Sequence, residues 1–291
     1  MKLSTMTSFY YSNTPDKMGY ARALEKTHEA GFDAIDFCMC PMQRNETELN
    51  LDDWRETLEK IVAVKEKLGL DIAQSHLPYP KIAGRRSSNT DPGCEMNEYF
   101  REMTRRSVEI SGALGVKWAV VHPVEYENVA DELCPEKNAA YNLKIYGPIF
   151  EQAKKLGVGL AFENMADADG RRFGSTPEDL LRIVEAFNDP MVQVCWDFGH
   201  GNRVFKNQTE QIKKIGKYLK ATHVDDNLGK DDLHTVPFLG NVNWPGIMKC
   251  LREIGYEECF NYEVSLRKVP AELVDVYVKY VYETGRYLLK L

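Results

Sequence analysis

At 291 residues and 43% hydrophobic, the chain is long enough for one large α/β barrel or two modest domains. Its 37 basic and 44 acidic residues leave a net charge of -7, which argues against a nucleic-acid binder, and no run of 18 apolar residues offers a membrane span. MKLSTMTSFYYSN at the start has no apolar h-region, and the 7 cysteines are odd in number without CxxC spacing, so a cytoplasmic protein with reduced thiols is expected.

Short apolar runs alternate with amphipathic stretches from end to end. Strands are predicted over Leu3–Phe9, Ala34–Phe37, Ile72–His76, Trp118–His122, Gly159–Glu163, Val192–Trp196, Ala221–Val224 and Cys259–Val264. Cys38 and Cys40 share one side of the second strand and read as structural. Between the second and third, LDDWRETLEKIVAVKEKLGL lays Trp54, Leu58, Ile61, Val62 and Leu68 along one helical face. STPEDLLRIVEAFNDP opens with Ser175 or Thr176 as cap and Pro177 in the first turn, and stops before Pro190. The last helix, VPAELVDVYVKYVYETGRYLL, is expected to be aromatic on its packed face. Eight strands, each followed by a helix, predict a (β/α)8 TIM barrel occupying 1–291 as a single domain. A doubly wound sheet is the alternative, but no G-x-G-x-x-G follows the first strand.

Long connections leave the C-terminal ends of the third, fifth and seventh strands, the face on which barrels carry their active sites. Of the 6 histidines, His76, His122, His200, His223 and His234 lie at or just past such ends, and Glu163, Asp197, Asp225, Asp232 and Glu263 join them there. One histidine beside a strand is most often a hydrogen-bonded core residue. Five on one rim, with carboxylates that are costly to bury unpaired, indicate a divalent-metal site. In VQVCWDFGHGN, Asp197 is then a ligand and His200 a neighbour facing the same pocket. Arg85, Arg86, Arg171 and Arg172, in two Gly-Arg-Arg runs of the rim loops, are candidates to hold a substrate phosphate or carboxylate. Phe9, Tyr10, Tyr11, Tyr79 and Trp196 are candidate pocket walls, with core packing preferred for Phe37.

The motifs FEN, DFGH, HVDDN, DLH…LGNVNW and YEV, in that order, resemble the xylose-isomerase-like barrel superfamily, and within it the sugar isomerases and epimerases. The resemblance covers nearly the whole chain. It implies one divalent ion (Mn, Co, Zn, Fe or Mg) held by Glu163, Asp197, His223 and Glu263, with His200 touching substrate. Asp232, His234, Gly240, Val242 and Trp244 fit the group's D-x-H and G-x-[IV]-x-W pattern, with Phe238 where a first glycine is common. An arginine that 3-epimerases place about six residues past the ligand histidine falls near Gly229 here, with Lys230 the nearest basic residue.

The implied activity is isomerisation or epimerisation of a sugar, sugar phosphate or related polyol ketone through a metal-stabilised cis-enediolate. Glu163 and Glu263 would exchange the proton beside the carbonyl. His200, His76, His122 and His234 would position hydroxyls, and Asp225 would orient a ligand histidine, while Asp226 caps its loop. Two alternatives remain open. One is a lyase of the same group, inosose dehydratase-like or cleaving a carbon-linked glycoside. The other is a zinc-dependent phosphodiesterase like the apurinic endonucleases, whose tri-zinc ligands can all be mapped onto this chain through His76, His122, Asp232 and His234. The expected partner is a small-molecule carbohydrate, with neither nucleic acid nor membrane, and the family association suggests a homodimer or homotetramer.

Overall fold

Eight short strands form one parallel sheet that closes on itself. They are β1 Leu3–Met6, β2 Ala34–Cys38, β3 Asp71–His76, β4 Trp118–Val121, β5 Gly159–Glu163, β6 Val192–Asp197, β7 Leu219–His223 and β8 Phe260–Tyr262. The computed structural model describes residues 1–11, 18–32, 34–79, 89–90, 98–126, 134–166, 173–266 and 269–291. Each strand pairs with its neighbour in sequence, and β1 also pairs with β8, Leu3 opposite Phe260. Closure between β7 and β8 runs through Val224, whose N–H donates to the Asn261 carbonyl (2.7 Å) and whose carbonyl accepts from Glu263 N (3.1 Å).

The helices between strands are α1 Tyr20–Glu29, α2 Trp54–Leu68, α3 Glu98–Leu114, α4 Pro135–Lys155, α5 Pro177–Phe187, α6 Gln208–Ile215, α7 Trp244–Glu253 and α8 Val274–Leu288. Local chemistry sets their ends. Thr176 caps α5, its hydroxyl accepting from Asp179 N at 3.2 Å, and Asn188 stops it at φ 47°. On α2, Trp54 and Ile61 are buried, with Leu58, Val62 and Leu68 packed beside them as the pattern predicts.

Strand alternation sorts the side chains into two environments. Ile35, Phe37, Phe162, Val194 and Trp196 pack in the main apolar core. Trp118, Val120, Ala161, Cys195 and Ala221 form a separate small cluster within the barrel. Gly159 makes room there, because a Cβ at 159 would collide with the Trp118 indole. Nearer the C-terminal rim the interior turns polar with Ser4, Asp36, Gln74 and Asn261, all buried. Apart from Asp36, the acids and histidines of the site come last, at the strand ends.

One expectation is corrected and another holds in part. β1 ends at Met6, and Ser8–Tyr11 form one helical turn; Phe9 and Tyr10 are apolar because they are buried at the rim, not because they extend the strand. On α8 the packed face is aromatic only in part: Tyr277 and Tyr282 lie against the core beside the buried Val274, Val278, Val281 and Leu288, while Tyr280 and Tyr287 are exposed. Among the described residues, no helix is long and apolar enough to cross a membrane.

Candidate metal centre

Asp197 ends β6 and also caps the short helix Phe198–Val204, its Oδ1 accepting from His200 N at 2.5 Å. Asn164 clamps the same backbone: its Oδ1 accepts from Asp197 N (2.5 Å) and its Nδ2 donates to the Asp197 carbonyl (2.9 Å). Capping consumes one carboxylate oxygen. The other, Oδ2, is buried without a hydrogen-bond partner. It faces His223, the last residue of β7 and register partner of Asp197, with Nδ1 3.9 Å away. The same Nδ1 lies 3.0 Å from Glu163 Oε1 and 2.8 Å from Glu263 Oε2. Ligand atoms of Glu163, Asp197, His223 and Glu263 all fall within 4.8 Å of one another.

Three carboxylates this close need a compensating positive charge. Burial pushes the Asp197 carboxyl up to about 6, with Glu163 and Glu263 adding to the rise. Burial acts upward on Glu163 too, but His223 and His122 hold it well below the usual carboxylate range. Glu263 shows the same contest, and His223 takes it down to about 2. Conversely, burial would lower His223, yet its acidic neighbours raise it well above the usual histidine value. Imidazolium protons thus supply the charge that a cation would supply. An unpartnered Asp197 oxygen, one imidazole nitrogen and two further carboxylates form a donor set that fits a single divalent ion.

Two groups flank this cluster. On one side His76, ending β3, and His122, just past β4, both point Nε2 at Glu163 Oε2, at 3.3 and 3.1 Å. On the other, Asp232 lies 3.4 Å from His200 Nε2 and 3.1 Å from His234 Nε2. His234 Nδ1 is 2.9 Å from the Glu263 carbonyl, and the residue sits at φ 46°, a strained conformation outside glycine. Burial would lower the pKa of His76, but Glu163 raises it to about 9; for His200, Asp197 and Asp232 overcome burial and raise it to about 10.

The strand-end residues Glu163, Glu263, Asp197, His223, His200, His76, His122 and His234 therefore meet at one rim. Trp196 does not, and that expectation is corrected. Strand alternation turns its fully buried indole toward the helical layer, where Nε1 donates to Gln208 Oε1 at 3.0 Å. Arg85, Arg86, Arg171 and Arg172 lie outside the described residues. Asp225 is corrected as well. Its nearer histidine is His234, at 3.8 Å, whereas the carboxylate facing His223 Nε2 is Asp36, at 3.5 Å. Sequence reading missed Asp36; a lone acid amid the apolar run AIDFC was the available signal. It also missed that Cys40 lies against the site, with Sγ 3.0 Å from His76 Nδ1.

Residues 24–279 match the family model described as "Xylose isomerase-like TIM barrel". The chain belongs to this family. Among curated relatives, an uncharacterized protein of Methanocaldococcus jannaschii, MJ1311, is 30% identical over 178 residues, covering 58% of this chain and 59% of the relative. A probable endonuclease 4 of Mesomycoplasma hyopneumoniae (strain 7448) is 26% identical over 175 residues, covering 56% of this chain and 59% of that protein. Each match thus spans little more than half of the relative's length. Among solved structures, that of a D-tagatose 3-epimerase-like protein superposes with a TM-score of 0.73 at 22% identity, covering 100% of this chain and 98% of the other. For this xylose isomerase-like barrel, that likeness bears on the fold.

Proposed function

We propose that the protein is a divalent-metal-dependent isomerase or epimerase of a polyhydroxylated carbonyl compound. The observation that carries the proposal is the convergence on His223 Nδ1 of Glu163, which ends β5, and Glu263, just past β8, with β6 and β7 between them around the barrel mouth. A divalent ion held by Glu163, Asp197, His223 and Glu263 supplies Lewis acidity, lowering the cost of negative charge on neighbouring substrate oxygens. The protein's own groups move the proton. Glu263, with 24% of its side chain accessible against 1% for Glu163, removes the proton beside the carbonyl from the open side. In an epimerisation Glu163 delivers to the other face a proton drawn from the His76 imidazolium against its Oε2, while the proton taken by Glu263 passes to solvent on its open side and His76 is reprotonated. His200 and His234, with Asp232 between them, orient substrate hydroxyls. Likeness to a D-tagatose 3-epimerase-like structure supports a sugar as substrate class.

Incubating the metal-loaded protein with a panel of ketoses and inososes in deuterated water tests this. Deuterium entering beside the carbonyl, followed by the isomer or epimer, is the expected result. No exchange with any member overturns it, and exchange followed by loss of water or of an aglycone indicates a lyase instead.

A second reading, phosphodiester cleavage at abasic sites, is favoured by the two flanking histidine–acid groups, which extend the central cluster toward a multi-ion site. The relative named a probable endonuclease 4 supports it. Cleavage of an abasic duplex by zinc-loaded protein, with no deuterium exchange into sugars, would select it. With the leading reading go one domain over 1–291, a cytoplasmic location and a homodimer or homotetramer, the last checked by light scattering.

A further inference from the structure

Beneath the rim, the barrel holds a buried carboxylate that the proposed chemistry does not use. Asp36 is fully buried in the middle of β2. Its Oδ2 accepts from Gln74 Nε2 at 2.6 Å and from Asn261 Nδ2 at 3.0 Å, and Asn261 Oδ1 in turn accepts from the Ser4 hydroxyl at 2.8 Å. Oδ1 of Asp36 has no hydrogen-bond partner, and neither does His223 Nε2. These two side chains face each other, Asp36 Oδ2 lying 3.5 Å from His223 Nε2. The His76 ring stacks on the His223 ring, centroids 5.4 Å apart and planes at 15°, which limits rotation of the imidazole.

We infer that Asp36 is the positioning residue of the metal centre, holding the His223 imidazole with Nε2–H toward the barrel interior and Nδ1 toward the ligand carboxylates. An imidazole can offer one nitrogen to an ion only if the other carries the proton, and a carboxylate behind the ring fixes which. The donors Gln74 and Asn261 alone do not demand a charge, since an amide oxygen at the same place accepts both. A buried negative charge there is costly, and the imidazole N–H is the group that gains from it. This inference rests on the metal-centre reading above.

The test is manganese affinity of metal-free protein by calorimetry, with the visible spectrum of the cobalt-loaded form as a second readout. His223→Ala should abolish binding at the site. Asp36→Asn, which keeps an acceptor for Gln74 and Asn261 but removes the charge, should weaken manganese about 10- to 100-fold and shift the cobalt bands. Gln74→Leu keeps the carboxylate and removes one of its anchors, and should weaken binding by about 3- to 10-fold, within the range of lost outer hydrogen bonds. A wild-type protein that binds no manganese, or a His223→Ala variant that binds it equally, overturns the metal-centre reading itself. Tight wild-type binding with Asp36→Asn within twofold and unchanged bands overturns the role of Asp36 alone. If Asp36→Asn does not fold, unchanged affinity in Gln74→Leu does so.

Discussion

Asp197 gives one oxygen to the backbone of His200 and keeps the other, buried and unpartnered, for the cluster around His223 Nδ1. That division explains why an acid stands at the strand end, serving both a helix cap and the cluster; the cap takes only the backbone N–H of His200, whose imidazole lies between the Asn164 carbonyl and Asp232. Glu163 and Glu263 differ in exposure more than in chemistry, and Glu263 is the one solvent reaches. Replacing either glutamate by glutamine should cut solvent-deuterium exchange by about 10²- to 10⁴-fold, the usual span for a lost acid or base, with the circular dichroism spectrum unchanged. Exchange at the wild-type rate in both variants would remove them from proton transfer. At this scale the sequence revealed most of the site, because ionisable residues ending apolar strands stand out. Asp36 did not stand out, since nothing in AIDFC tells which strand lies opposite it across the barrel. Trp196 misled for a related reason: alternation assigns it to one face, but only the position of the axis says that the face is the outer one.

The connection from β7 to α7 carries Asp232 and His234 to the rim. Asp226 organises it, accepting from the backbone N–H groups of Asn227 (2.9 Å), Phe238 (3.0 Å) and Val242 (3.1 Å) and from Trp244 Nε1 (2.8 Å). Loop capping was the role expected of it from sequence, and this is what its carboxylate does. Asp226→Ala strands three buried donors, those of Asn227, Val242 and Trp244, and at about 1–3 kcal/mol for each should cost at least about 3 kcal/mol, read from urea unfolding. Phe238 sits at φ 76°, which accounts for the preference for glycine at that place in the motif. Left-handed backbone costs a bulky residue about 1–2 kcal/mol. Its edge contact with Tyr287, centroids 5.8 Å apart, returns about 0.5–1.5 kcal/mol. Phe238→Gly should therefore fall between a loss of about 0.5 and a gain of about 1.5 kcal/mol, and a larger loss in the same experiment would mean the ring does more than this contact. Gly199 has no such latitude, because a Cβ there would run into the Asp225 carboxylate. The strain at Phe238 had a signal in the sequence, the glycine place it occupies, whereas that at His234 was invisible, since it goes with a contact to the Glu263 carbonyl far along the chain.

Across the molecule, the barrel brings residues from β3 to β8 to one rim, and strand–helix alternation made that architecture readable from periodicity and length. The boundary was off where burial imitated a strand, as at Phe9, and on α8 valines share the packed face with Tyr277 and Tyr282. Collecting acids and histidines on one rim has a consequence for stability. His76 and His200 have pKa values of about 9 and about 10 in the folded protein, against the usual 6.5. The folded metal-free state then binds more protons than the unfolded chain above pH 6.5, so the stability these groups contribute is full below that value and is lost as pH rises through about 9 to 10. The thermal midpoint of metal-free protein should fall between about pH 7 and 9, and that of metal-loaded protein, whose ion supplies the positive charge, should fall less. Equal slopes for the two forms would separate the ion from this cluster.

The metal content of protein purified without added metal or chelator, compared with the His223→Ala variant by elemental analysis, tests the central claim most directly. One divalent ion per wild-type chain, absent from His223→Ala, is the result predicted by a single centre at Glu163, Asp197, His223 and Glu263. Two or three tightly held zinc ions per chain, or an ion retained without His223, would contradict it.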